Sequence, residues 1–460
     1  MESNGPGGLG LRTAFCYNPL MDGYTNRVLH KPSFCVFGAV IFCVVFCVFL
    51  MAGCSGNGAL APEAQEDAGS AAGQGTGLNT LPATAPDEEA GSATGPDSLP
   101  AAGQEAGAGA SSAAEGTLGI VSFVCVGDNL IHEQIWRHRG RGADGRFNFD
   151  SLYAPVKGMV SAADVAFVNQ ETVCGGEALE LSDWPRFNSP QEILDALGGA
   201  GFNWISTANN HSLDRGEEGV LAQLDYLSKL SGVVQTGTHA SREDSEEPRV
   251  IEINGVRIGI ASYTYGTNGI APPPGKEYLV DVIDEAELAS DLGLLTSVSD
   301  IQIVSMHWGE EYSFEPTNEQ RALAQFLADA GVDIVVGAHP HVIQKPEFLE
   351  GADGNTTLVY YSLGNFMSSQ TEPERMLGGM ARFEIEYDAS AQKVRFLAAE
   401  ALPLVTHISS DYKTYTVYPL RDYTETLAKG HALASKGLSL DFLSSQVRSV
   451  FDEDAGWVSR

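Results

Sequence analysis

His339, Pro340 and His341 stand directly behind the apolar run 332–338, which sets two imidazoles side by side at the mouth of what reads as a buried strand. Pro340 disfavours helix at the residue before it and fixes its own φ, so the segment is expected to stay extended, with both rings able to reach a common ion. A lone His-x-His pair is weak evidence, since most histidines of a globular domain are packed or solvated. Residues of metal-ligand type also follow other strand-like runs: Asp128 the first, Asn169-Gln170-Glu171 the second, Asn209-Asn210-His211 the third and His307 a later one. In open α/β sheets ligands bind at the carboxyl ends of strands, where these residues fall.

The inventory is two carboxylates, one amide and three imidazoles: Asp128, Glu171, Asn210, His307, His339 and His341. Nitrogen and oxygen donors without thiolate suit a borderline divalent ion, Mn²⁺, Fe or Zn²⁺, and suit Ca²⁺ poorly. Six ligands exceed a tetrahedral site and fit two ions sharing a bridging carboxylate, an arrangement that activates water and holds both oxygens of a displaced phosphate. Simpler uses compete at single positions: Asp128 and Asn210 as turn formers or helix caps, Trp308 and Tyr312 as packing residues, Asp214 as part of a helix start, and 362–365 as a turn lining the pocket.

The series GDNLIHEQ (127–134), NQET (169–172), FNSP (187–190), TANNHSLDRG (207–216), HWGEEY (307–312), GAHPHVIQ (337–344) and YSLGNF (361–366) resembles the CapA family. That family is associated with poly-γ-glutamate capsule biosynthesis and lies in the calcineurin-like metallophosphoesterase superfamily. The resemblance covers roughly residues 120–370. It implies a four-layer α/β/β/α sandwich with mixed sheets and a two-ion centre. Asp128 is then the ligand from the first strand, Glu171 stands for the bridging aspartate, and Asn210 for the asparagine of an Asn-His pair. His307, His339 and His341 complete the two sites, and His211 matches the histidine that protonates the leaving group. The chain departs from the superfamily at Leu130, where a histidine is usual. His132 is the nearby candidate to reach the site instead, with a surface histidine as the equal alternative. Asn169 and Glu171 also replace an aspartate pattern, so activity does not follow from the fold.

Positioning these residues requires an alternation of strands and helices. Strand patterns cover 121–126, 165–168, 204–207, 250–253, 256–263, 301–306, 334–336 and 357–361. Helix patterns cover 191–198, 217–231 and 318–330, the last stopped by Gly331. Asn254-Gly255 joins two strands as a hairpin, so the sheets are mixed, and 380–404 is β-rich as well. The domain is expected over 119–404, with 405–460 a packing appendage that is helical near 441–450.

The flanks speak to location. From Phe34 to Gly53 there is no charge, a basic stretch with Arg27 and Lys31 precedes, and Leu50-Met51-Ala52-Gly53-Cys54 resembles the lipobox of bacterial lipoproteins. Residues 1–54 therefore read as a leader with Cys54 lipidated, or as an uncleaved signal anchor, with Met21 a candidate start. Residues 55–118 are rich in Ala, Gly, Ser, Pro and Glu, lack Lys and Arg, and read as a disordered tether. Both readings place the domain outside the cytoplasm, anchored to a bacterial membrane. Cys125 and Cys174 alone fall in the folded part, too few for a disulfide framework.

The net charge of −33, from 60 acidic against 27 basic residues, argues against nucleic acid as a partner. A divalent cation would supply positive charge where an anionic substrate must approach. Two functions are expected from different classes. One is a metal-dependent hydrolase of phosphoester or amide bonds, with metal-activated water as nucleophile, working in capsule assembly. The other is a non-catalytic scaffold that holds an anionic polymer, such as poly-γ-glutamate, for a membrane synthase complex.

Overall fold

The computed structural model describes residues 118–451. The leader expected at 1–54 and the tether expected from 55 onward lie outside the described residues, and Leu118, expected as the last tether residue, already opens the first strand. Two mixed sheets form the centre. The eight-stranded sheet contains β1 (Leu118–Asn129), β2 (Val165–Asn169), β3 (Trp204–Ser206) and β4 (Val234–Thr236), and the six-stranded sheet β5 (Arg249–Ile253), β6 (Val256–Thr264), β7 (Ile301–His307), β8 (Ile334–Ala338), β9 (Glu347–Glu350) and β10 (Thr356–Tyr360). The chain then returns to the larger sheet with β11 (Asn365–Met367), β12 (Leu377–Asp388), β13 (Lys393–Ile408) and β14 (Tyr415–Pro419). Spatial order is β14-β13-β12-β1-β2-β3-β4, with β11 beside the end of β1, and β5-β6-β7-β8-β10-β9.

Successive parallel pairing of β1 to β2, β2 to β3 and β3 to β4 in one sheet, and of β6 to β7, β7 to β8 and β8 to β10 in the other, points these carboxyl ends the same way within each sheet. β7 and β8 are buried along their whole length, as strands covered on both faces must be. Side chains alternate between two environments. Ile303, Ile334, Val336 and Leu358 join the core shared with the larger sheet, where Phe123 stacks on Phe383 at 4.7 Å. Val304, Val335 and Val359 turn the other way, onto two helices numbered below.

The helices are α1 (Glu133–Arg137), α2 (Asp150–Tyr153), α3 (Lys157–Val160), α4 (Glu192–Ala200), α5 (Gly216–Leu227), α6 (Arg242–Ser245), α7 (Glu285–Val298), α8 (Asn318–Asp329), α9 (Glu425–Gly430) and α10 (Leu440–Phe451). Leu288 and Leu292 of α7 with Ala324 and Leu327 of α8 cover the outer face of the smaller sheet. α2, α3 and α4 bring Leu152, Tyr153, Val160, Ile193 and Leu197 to the larger one. The result is the expected α/β fold of two mixed sheets between helices. Among the described residues no helix is long and apolar enough to cross a membrane.

Local chemistry explains several boundaries. Asn254 and Gly255 both have positive φ, 53° and 77°, as a type I′ hairpin turn demands. Thr317 and Gln320 close a reciprocal capping box at the start of α8, and Gly331, at φ 88°, stops the chain behind it.

The structure carries the domain past residue 404. β13 runs on to Ile408 and pairs with β14 from Leu404↔Pro419 to Ile408↔Tyr415, and Leu443, Val447 and Phe451 of α10 enter the large core. Pro403 lies inside β13, opposite Gly379. Residues 405–451 thus complete the sheet rather than append to it.

Candidate metal centre

Two close approaches bring the strand ends together. A Cβ on Gly127 would lie 1.9 Å from the Gly364 carbonyl oxygen, and one on Gly337 would lie 1.9 Å from that of Tyr361. Only glycine permits either contact, and each precedes a ligand segment by one or two residues. Asp128 is held there by its own N–H, which donates to the Gly364 carbonyl at 2.9 Å.

Asp128 ends the regular part of β1, Glu171 follows β2, Asn210 and His211 follow β3, His307 ends β7, and His339 and His341 follow β8. All seven are buried. They form two groups whose ligand atoms lie within 4.8 Å of one another: Glu171 with His307 and His339, and Asp128 with Glu171 and His341. Glu171 belongs to both, as a bridging ligand would. Asn210 Oδ1 lies 2.9 Å from His307 Nε2, which places the amide beside the first group.

The His-Pro-His segment differs from expectation. His339 has φ 98° and His341 φ 58°, so the backbone is not extended. Tertiary hydrogen bonds impose the turn: the His339 N–H donates to Asp128 Oδ2 at 3.2 Å, and the Tyr312 N–H donates to the Pro340 carbonyl at 2.7 Å. Positive φ at two non-glycine residues costs on the order of 1–3 kcal/mol each and marks a site that the surroundings over-determine. Its consequence is that the rings diverge, 6.1 Å apart, into different groups instead of toward one common ion.

The electrostatics fit a cation. Both Glu171 carboxylate oxygens and His339 Nδ1 are buried without a hydrogen-bond partner. Burial, then the Asp128 charge, raises Glu171 well above the usual carboxylate range. Burial lowers His307 well below the usual imidazole range, and lowers His339 to about 4 with help from His341. Burial acts the same way on His341, but Glu171 and the hydrogen-bonded Asp128 outweigh it and hold that imidazole at about 9. Buried carboxylate oxygens without a hydrogen bond are costly, and a divalent ion would offset that cost. Donors of this kind, without thiolate, match Mn²⁺, Fe or Zn²⁺.

His132 lies in neither group. It is half-buried, its Nδ1 accepts the Ser369 N–H at 3.3 Å, and its ring meets Phe187 edge-on at 5.3 Å. Burial is also the main reason its imidazole falls to about 4. Next to the centre, His211 Nδ1 is 2.7 Å from Asp214 Oδ2, which also accepts the Phe187 N–H at 2.7 Å. Asp214 therefore orients His211 rather than merely shaping the start of α5. His211 Nε2 makes no hydrogen bond to a described residue.

Three neighbours escape the sequence reading of ligands. Asn365 pairs with Asp128 across β11 and β1, and its Oδ1 sits 3.1 Å from His341 Nδ1; the YSLGNF segment was its only signal. The Tyr265 ring lies 4.7 Å from His339, and the Tyr312 ring 6.0 Å from His341. Both tyrosines are exposed, at 47% and 37%. Trp308, by contrast, is a packing residue, buried on Tyr361 with its Nε1–H on the Tyr361 carbonyl at 2.9 Å.

Residues 122–370 match the family model described as bacterial capsule synthesis protein PGA_cap. The chain belongs to that family. Every residue of the two ligand groups falls inside the matched stretch. Among similar proteins, the PGA biosynthesis protein CapA of Bacillus subtilis is 30% identical over 190 residues, covering 39% of this chain and 46% of that protein. The capsule biosynthesis protein CapA of Bacillus anthracis is 30% identical over 187 residues, 40% of this chain and 44% of its own length. This chain thus spans somewhat under half of each relative. Among solved structures, the calcineurin-like phosphoesterase YfkN from Bacillus subtilis has a TM-score of 0.35 at 13% identity, covering 71% of this chain and 100% of that one.

Proposed function

We propose that this member of the capsule synthesis family is a metal-dependent hydrolase of phosphoester or amide bonds, tethered to the outer face of a bacterial membrane, that works on an anionic polymer during capsule or poly-γ-glutamate assembly. The observation that carries the reading is the pair of buried ligand groups sharing Glu171, with His211 beside them. Asp128, Glu171, His307, His339 and His341, with Asn210 alongside, would hold two divalent ions. When bound, these supply Lewis acidity toward the substrate oxygen and lower the pKa of water.

The remaining steps belong to side chains. Asp214 holds His211 Nδ1, which leaves Nε2 to give a proton to the departing oxygen or nitrogen as the P–O or C–N bond breaks. Tyr265 and Tyr312 flank the ligand histidines as exposed walls for the substrate. Membership of a capsule synthesis family supports the polymer. The uncharged run before Cys54 supports the tether.

Two measurements test this. Full-length protein loaded with Mn²⁺ is expected to cleave either a phosphodiester or poly-γ-glutamate, and to stop when the ions are chelated. Metal-loaded protein inert toward both would sink the hydrolase and leave the scaffold role. Cys54→Ala is expected to release the protein from the membrane fraction or leave it unprocessed, and unchanged mass together with unchanged retention would favour a plain signal anchor over a lipid tether.

A further inference from the structure

Arg375 stands in the short 3-10 turn Pro373–Met376, past the end of the stretch that matches the family. Its guanidinium carbon lies 3.5 Å from the centre of the Tyr312 ring, and that ring is 6.0 Å from His341. A second link runs through the backbone. Asn365 Oδ1 is 3.1 Å from His341 Nδ1, while Asn365 Nδ2 donates to the Arg375 carbonyl at 3.0 Å. Tyr312 is itself fixed, at φ 67°, by its N–H bond to Pro340 in the His-Pro-His turn. Main chain and side chain of Arg375 are thus both tied to the segment that carries His341.

The cation there rests on the Tyr312 ring and not on a carboxylate. Arg375 forms no ion pair among the described residues, and its Nε is buried without a hydrogen-bond partner. Nine of the fifteen described arginines pair with carboxylates, among them Arg141, Arg146, Arg249, Arg257, Arg382 and Arg395. Arg375 is one of six described arginines without such a pair, and what sets it apart is its place on the Tyr312 ring, which lies 6.0 Å from His341. Stacking on Tyr312 uses the guanidinium face and leaves the N–H edge, whose fork matches a carboxylate or phosphate.

We propose that Arg375 is a specificity-determining residue: it takes an anionic group of the substrate, carboxylate or phosphate, next to the bond presented to the two ligand groups. The proposal rests on the hydrolase reading for its substrate but not for its test, which reads binding. A γ-linked glutamate chain offers a free α-carboxylate on each residue, and a polyol phosphate chain offers a diester at each step.

Calorimetric titration of the full-length, Mn²⁺-loaded protein separates these sources. The probes are a γ-glutamyl oligopeptide, the same peptide with its α-carboxylates amidated, and a glycerol phosphate oligomer. The wild type is expected to bind one anionic probe about 10- to 100-fold more tightly than the amidated peptide, the range of a charge-assisted pair. Arg375→Gln should erase that preference at unchanged metal content, and the probe whose binding it loses names the anion. Arg375→Lys, which keeps the charge without the fork, should retain a reduced preference. If Arg375→Gln does not fold, the lysine variant decides: a reduced preference supports the role and an unchanged one overturns it. A preference undiminished in Arg375→Gln, or a wild type that does not favour either anion, overturns it too. Absence of turnover in the wild type would strike the hydrolase reading alone, since binding is read without it.

Discussion

Glu171→Gln is expected to empty both ion sites in one step. Each ligand group contains Glu171, so the amide removes a negative donor from two ions at once, whereas losing any one histidine removes a donor from one. Replacing a residue that merely supports a metal ligand costs 10- to 100-fold in affinity, so loss of the shared ligand should cost at least about 100-fold for each ion. The same variant should behave oppositely without metal. In the metal-free protein Glu171 keeps its proton to a pH well above the value at which the unfolded chain releases it. The folded state then binds more protons than the unfolded state above about pH 4.3, and stability falls as pH rises through that window. A glutamine side chain at this position has no proton to lose, so Glu171's share of the decline should be absent from the variant. Denaturation curves in chelator at pH 5 and pH 8, with metal titrations beside them, check both halves. A variant that binds ions as the wild type does would contradict the assignment of Glu171.

His211→Ala should leave the ions in place and remove the chemistry. The imidazole is bonded to Asp214 and belongs to neither ligand group, so its loss takes no donor from an ion. A positioned general acid contributes about 10²- to 10⁴-fold, and that range is the expected fall in turnover. Asp214→Asn should give a smaller fall, since it loosens the ring without deleting it. The loss should shrink for substrates whose leaving group departs without a proton, such as nitrophenolate esters. An equal loss on all substrates, or a parallel loss of metal, would assign His211 a structural role.

The candidate ligands were legible because each is a chemically distinctive residue at the carboxyl end of an apolar run, and parallel pairing brings such ends together within a sheet. What could not be read depends on contacts remote in sequence. Local preference at Pro340 argued for extended backbone, but the Asp128 carboxylate and the Tyr312 amide turn the chain at His339 and His341. Asp214 looks like an ordinary helix-start residue until His211 is seen 2.7 Å away. Arg375 carries no pattern at all, and its significance comes from the Tyr312 ring beneath it. β4 is three residues long, too short for periodicity.

Metal content of the purified full-length protein tests the central claim most directly. After equilibration with Mn²⁺ or Zn²⁺ and removal of free ion, elemental analysis is expected to give about two equivalents per chain, the stoichiometry of a bridged pair. The His339→Ala, His341→Ala double variant, which removes one imidazole from each group, should retain almost none. A wild type that holds no metal, or a double variant that holds as much as the wild type, would contradict the account.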